Sequence, residues 1–258
     1  MEEYALITGA GKGIGRAMAL QLAQKGYNLL LVSRSETDLR DLAQQLLAEY
    51  KIKVEYLAID LSLDNAASTV YNRAAQLAVP VSILINNAGH GLWGDFEQLD
   101  LQAQTGMMQV NMNALIELSH LFIPLLKTQK QAYILNVAST AAYQAVPTLA
   151  VYAATKAFVL SFSRALRLEL KDTSVSVSCL SPGPTDTGFI KRAGMEAVAD
   201  LAAKFNMDAG EVARNGLKGM FHKKAEIIPG LLNVFSAFGA RHIPKAFVER
   251  IAANLYKR

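Results

Sequence analysis

Cysteine is almost missing from this chain. Cys179 is the only one in 258 residues, so no intrachain disulfide can form and no second thiol exists for a cysteine-based metal site. It sits in the apolar run from Ser176 to Leu180, which reads as a buried, inert thiol rather than a nucleophile. Histidine is scarce as well: four are scattered along the sequence without clustering, and no metal is expected. Long hydrophobic runs are also lacking. The longest candidate, Ile227 to Ala240, has fourteen residues and contains Pro229 and Gly230, too short and too broken to span a bilayer. No basic segment followed by a long apolar one marks a signal peptide, so a cytoplasmic location is expected. The net charge of +4 is not gathered into a Lys/Arg run, which argues against a nucleic-acid partner.

Hydrophobic residues make up 52% of the chain and charged residues 19%, enough apolar material for one large core. Short apolar, β-rich runs at 4–8, 28–32, 53–59, 82–85, 132–137 and 174–180 alternate with segments of helical period at 14–25, 36–50, 65–77, within 101–128, and at 149–170. Strands that are apolar throughout and separated by helices imply a parallel sheet covered on both faces. The expected fold is therefore α/β: a single-domain, Rossmann-like, doubly wound parallel sheet spanning 1–258, with a C-terminal helical lid or tail. The regular rhythm stops after Pro182. Residues 185–224 are expected to form a helical insertion covering the substrate, with Asp208 capping a helix through Glu211. A last short strand is expected at 225–228 and an amphipathic tail at 231–258.

The first strand runs into Thr8-Gly9-Ala10-Gly11-Lys12-Gly13-Ile14-Gly15, and a helix follows. Glycines let a backbone approach a pyrophosphate closely, and the N–H groups at a helix start favour anions. Proteins that bind the unphosphorylated nicotinamide cofactor usually end the second strand on an acid. Here that strand ends Leu31-Val32-Ser33-Arg34. Arg34 and Lys12 could instead neutralise a ribose phosphate, which favours NADP(H) over NAD(H).

Tyr152 and Lys156 stand four residues apart in a helical stretch, on one face, with Ser139 thirteen residues upstream. A free phenol has a pKa of about 10 and is a poor proton shuttle at neutral pH. A neighbouring ammonium favours the phenolate and draws the group toward the working range.

Together these residues resemble the short-chain dehydrogenase/reductase family over roughly residues 4–190. The family's glycine motif stands as Thr8, Gly9, Gly13 and Gly15, and its Asn-Asn-Ala-Gly motif as Asn86, Asn87, Ala88 and Gly89. The resemblance implies that Asp60, with Leu61 beside it, faces the adenine, and that Pro182, Gly183 and Thr187 lie along the nicotinamide half. It also implies a catalytic tetrad of Asn111, Ser139, Tyr152 and Lys156, with Asn111 preferred over Asn113 by its Val-Asn context. Gly11, Lys12, Ile14, Ser33, Arg34, Asn111, Tyr152 and Lys156 complete the expected cofactor contacts. The implied reaction is hydride exchange between a nicotinamide and a carbonyl/alcohol pair, the work of an oxidoreductase on CH–OH groups. Tyr152 would carry the proton, Lys156 would tune it and hold the ribose, Ser139 would orient the substrate oxygen, and Asn111 would anchor a water on the proton path.

The loop His90-Gly-Leu-Trp93-Gly-Asp-Phe96, with Tyr143, Val146, Phe189 and Ile190, is expected on the substrate side. Its scarcity of charge favours a hydrophobic ketone, aldehyde or 3-oxoacyl compound. In the tail, Phe235, Phe238, Ile243, Phe247, Ile251 and Leu255 form an apolar stripe edged by Arg241, Lys245, Arg250, Lys257 and Arg258. Packing on its own domain or a second subunit is the commoner use of such a stripe; a membrane surface is the alternative. The family resemblance implies a homodimer or homotetramer. Two other functions compete with the enzyme: an NADP(H)-binding regulatory sensor without turnover, which would have no use for the phenol–ammonium pair, and a scaffold, which would leave the glycine turn unexplained.

Overall fold

The computed structural model describes residues 3–195 and 206–255. Strand β1 (Tyr4–Thr8) is buried along its whole length and leads into helix α1 (Gly13–Gln24). There follow β2 (Asn28–Ser33), α2 (Glu36–Glu49), β3 (Val54–Ala58), α3 (Ala66–Gln76) and β4 (Val81–Asn86). Beyond them come α4 (Leu101–Met108), α5 (Ala114–Lys127), β5 (Ala132–Val137), α6 (Ala150–Glu169) and β6 (Val175–Leu180). The seven-stranded sheet is parallel throughout and is completed by the short β9 (Glu226–Ile227), in the order β3-β2-β1-β4-β5-β6-β9. Every strand run expected from the sequence is present.

The chain winds outward from β1 to β3, then restarts on the other side of β1 with β4. This reversal leaves a crevice beyond the carboxyl ends of β1 and β4, where open α/β sheets bind their ligands. Thr8 ties the two strands together there: its Oγ1 donates to Ile85 O and accepts the N–H groups of Asn87 and Ala88, both at 3.0 Å.

Each sheet face has its own core. On one, Met18 and Leu22 of α1 and Leu39, Leu42 and Leu46 of α2 are fully buried with Val212 and Met220. On the other, Val70 of α3, Leu118, Phe122 and Leu126 of α5 and Leu166 of α6 pack together. Cys179 lies buried in β6, and burial pushes its thiol up to about 11, in keeping with an inert group.

Two expectations need correcting. The single helix expected within 101–128 is divided into α4 and α5 by a π-turn at Gln109–Asn113, where the Ala114 N–H reaches back to Gln109 O. The expected substrate-covering insertion divides in two. Its first part holds β7 (Thr185–Asp186) and α7 (Phe189–Ala193), and β7 pairs with β8 (Met207–Asp208). Its second part, α8 (Ala209–Phe221), capped by Asp208 on the Glu211 N–H, packs against α1 because Val212, Ala213, Leu217 and Met220 are apolar and buried. Residues 196–205 of the insertion lie outside the described residues.

The expected C-terminal helical tail is present, in two pieces. It breaks into α9 (Leu231–His242) and α10 (Lys245–Leu255) because Ile243 precedes Pro244 and is held extended. The helices meet the domain through small side chains, Ala237 and Ala252, with Val248, while Phe235, Phe238, Ile243 and Phe247 face outward. Arg241 ties α9 to the domain: its guanidinium lies 4.7 Å over the Tyr143 ring and 2.6 Å from Glu226 Oε1. Lys257 and Arg258, and the side chains of Ile251 and Leu255, lie outside the described residues. Among the described residues no helix is long and apolar enough to cross a membrane.

Candidate active site

The crevice beyond β1 and β4 opens into a cleft of about 1450 Å³. Its floor is the glycine turn, and the backbone there explains the glycines. Gly9 has φ +65 and Gly13 φ +54, conformations that side chains resist. A Cβ on Gly15 would lie 2.3 Å from Gly9 O, so the turn folds back on the helix only without one. Asn87 Nδ2 holds the turn by donating to Thr8 O and Gly9 O. Thr187 closes it from above: a Cβ on Gly13 would meet the Thr187 Cβ at 2.7 Å.

One end of the cleft is lined by Lys12, Ser33, Arg34, Ser35, Asp38, Asp60 and Leu61. Asp60 Oδ1 accepts from the Ser62 N–H and hydroxyl. Burial pushes its carboxyl up, but those bonds, with Arg34 and His90, outweigh it and hold its pKa below the usual carboxylate range. Ser33 Oγ is buried there with no hydrogen-bond partner among the described residues. Asp38 was not foreseen. It follows the second strand by five residues rather than ending it, and reaches the cleft because Ser35 caps α2 on the Asp38 N–H, in the first helical turn. Its carboxylate lies 3.2 Å from Lys12 Nζ.

Toward the middle, Ser139, Tyr152 and Lys156 all line the cleft with Asn87, Ala88, Gly89, Pro182 and Gly183. Ser139 begins a short 3₁₀ turn, Thr140–Tyr143, its Oγ accepting from the Ala141 N–H, which leaves its own proton to donate. Lys156 Nζ donates to Val137 O at 2.9 Å and lies 5.9 Å from the centre of the Tyr152 ring. Burial pushes the Lys156 ammonium down to about 8. The cation is thus fixed beside the phenol by the end of β5, one turn away on the same helix.

Asn111, Asn86 and Gly15 do not line the cleft. Asn111 sits behind it in the π-turn, where its Nδ2 donates to His90 O and Thr155 Oγ1 and its Oδ1 accepts the His90 N–H. It still converges with Lys156, since a Cβ on Gly89 would lie 3.0 Å from Asn111 Oδ1 and 3.1 Å from Lys156 Nζ. Asn86 is buried within the sheet, donating to Ser119 Oγ and Asn136 Oδ1. Its neighbour Asn87 is the one that reaches the turn.

The far wall comprises Val146, Leu149, Phe189, Ile190, Met195, Met207, Leu231 and Leu232. From Val137 onward, Lys156 is the only lining residue with a charged side chain among the described residues. Three expected wall residues lie elsewhere. Trp93 is buried behind the wall, its backbone N–H donating to Ala193 O. Phe96 is exposed. Tyr143 is drawn to the sheet edge, donating to Glu226 Oε1 at 2.6 Å; burial and that carboxylate both raise its pKa. The start of α9 takes their place. Asn233 presses on the backbone of Gly183, where a Cβ would lie 2.3 Å from its Oδ1.

The short chain dehydrogenase family profile matches residues 3–197. The chain belongs to this family. It is 36% identical over 221 residues to a very-long-chain 3-oxoacyl-CoA reductase of Pyrenophora tritici-repentis, a match covering 83% of this chain and 64% of that reductase. The chain therefore spans less than two thirds of that relative's length. A short-chain dehydrogenase from Sphingobium yanoikuyae, solved in complex with NADPH, superposes with TM-score 0.83 at 32% identity, covering 93% of each chain. A short-chain dehydrogenase/reductase from Burkholderia phymatum, solved with NAD, gives 0.81 at 26% identity over 92% of each.

Proposed function

We propose that this chain is an NADP(H)-dependent oxidoreductase that interconverts an apolar ketone, aldehyde or 3-oxoacyl compound and its alcohol. One observation carries the reading: Ser139, Tyr152 and Lys156 line a single cleft that continues over the glycine turn. The cleft fits a dinucleotide. A pyrophosphate needs close backbone approach, and the turn after β1 is stripped of side chains at each point where a Cβ would clash. The unpartnered Ser33 hydroxyl and the exposed Arg34 at the end of β2 suit a ribose phosphate. The NADPH complex of the Sphingobium relative supports that preference, while the NAD complex of the Burkholderia relative makes it a question for measurement.

When bound, the nicotinamide supplies or accepts the hydride. The chain's own residues do the rest. Lys12, Ser33 and Arg34 would hold the adenosine end, Asp60 the adenine, and Pro182, Gly183 and Thr187 the nicotinamide half. Ser139 donates a hydrogen bond to the substrate oxygen and fixes its position; one such donor is typically worth about 3 kcal/mol as charge develops. Tyr152 gives its phenolic proton to that oxygen during reduction and takes it back during oxidation. Lys156, anchored on Val137 O, keeps a positive charge beside the phenol and so favours the phenolate left behind. The apolar wall excludes water and accepts an aliphatic or ring substituent. NADPH consumption with a panel of ketones, aldehydes and acyl thioesters tests the reading; tight cofactor binding without turnover on any of them would contradict it.

A further inference from the structure

Among the described residues, α9 and α10 carry the densest group of exposed apolar side chains. Leu231, Leu232, Phe235, Phe238, Ile243 and Phe247 are between 42% and 77% exposed. A soluble surface seldom leaves so many large apolar groups together without using them. The patch is also continuous with the cleft, because Leu231 and Leu232 line its mouth. Its rim is basic: Lys245 and Arg250 are exposed, with Arg241 beside them already paired to Glu226, and Glu249 is the only acid between residues 231 and 250.

We propose that this face docks onto the surface of an anionic lipid bilayer, with the phenylalanines seated at the headgroup–acyl boundary and the cleft mouth turned toward the lipid. Helices with an apolar Phe/Leu face and a basic edge lie in that interface rather than across it. A second copy of the chain is the weaker occupant. Two-fold pairing through this face would bring two basic rims together, with Glu249 the only acid of 231–250 on each, and would bury Leu231 and Leu232 over both cleft mouths. A bilayer complements the charge and leaves the mouth open to a lipid-dissolved substrate. That last consequence rests on the proposed reaction; docking itself does not.

Flotation of the full chain with phosphatidylcholine vesicles, with and without phosphatidylglycerol, tests the proposal. The protein is expected to float with the anionic vesicles about tenfold more than with the neutral ones, and less as salt rises. Phe235→Asp with Phe247→Asp is expected to reduce binding at least about tenfold. Lys245→Glu with Arg250→Glu is expected to remove the preference for anionic lipid while leaving thermal unfolding and NADPH binding unchanged. The charge pair, fully on the surface, decides the matter if the phenylalanine pair does not fold. Wild-type protein that stays with neither vesicle, or variants that float like wild type, would overturn the proposal. So would a dimer abolished by the phenylalanine pair in protein that ignores vesicles. Failure of flotation leaves the oxidoreductase reading intact, and failure of ketone reduction leaves docking intact.

Discussion

Lys12 Nζ stands 3.2 Å from the Asp38 carboxylate at the rim of the cleft, so one of the two cations available to a ribose phosphate is already paired. Arg34 lines the same end and has no such partner at that distance among the described residues. On the proposed function, cofactor choice there is a competition between a carboxylate that can accept from ribose hydroxyls and a guanidinium that can clamp a phosphate. Asp38→Asn is expected to free Lys12 and raise the preference for NADPH over NADH several-fold. Arg34→Ser is expected to lower that preference by about tenfold or more, the size of a lost charge-assisted bond. Dissociation constants for both cofactors, from their fluorescence, check both; no change in either variant would remove these residues from the cofactor site.

Lys156 makes a second prediction, about stability. Its pKa is held near 8, against 10.5 for a free lysine, chiefly by burial. Below pH 8 the ammonium is charged in both states, and the folded cofactor-free protein bears the full cost of desolvating it. Between pH 8 and about 10.5 the folded state sheds the proton first, the unfolded state binds more protons, and stability rises with pH. Lys156→Met is therefore expected to melt several degrees higher than wild type at pH 7 while losing turnover, with the gap closing above pH 8. Melting curves of the two proteins from pH 7 to 10 check the sign; a gap that widens with pH would refute it.

Gly15 supplies a third. Replacing glycine by alanine inside a helix normally stabilises by about 1 kcal/mol. Here the new methyl would sit 2.3 Å from the carbonyl oxygen of Gly9, within the packed turn. Gly15→Ala is expected to destabilise by about 2 kcal/mol or more and to weaken cofactor binding as well. Urea unfolding midpoints show which effect wins.

Much of this architecture was readable from residue order. Six apolar runs parted by helical ones dictate a parallel sheet, and the Thr8-to-Gly15 turn places the crevice at its centre. Tyr152 and Lys156 meet because four residues of helix bring them to one face. Other features depend on contacts that sequence spacing does not encode. Asp38 reaches the cleft only because Ser35 starts α2 where it does. Trp93 and Tyr143 have the composition of a pocket wall, yet one is buried behind it and the other is captured by Glu226, a residue 83 positions away. The outward turn of α9 goes with Arg241 meeting Glu226 and Tyr143, contacts invisible in the helical period alone. The π-turn around Asn111 shows no breaker residue within it, and such turns recur at functional sites.

The most direct test is the phenol. Tyr152→Phe keeps the ring that packs against Phe189, 5.4 Å between centres, and removes only the hydroxyl. This variant is expected to bind NADPH within about twofold of wild type and to lose roughly a hundred- to ten-thousandfold in turnover on its best carbonyl substrate. Turnover at the wild-type rate in that variant would contradict the proposed role of Tyr152.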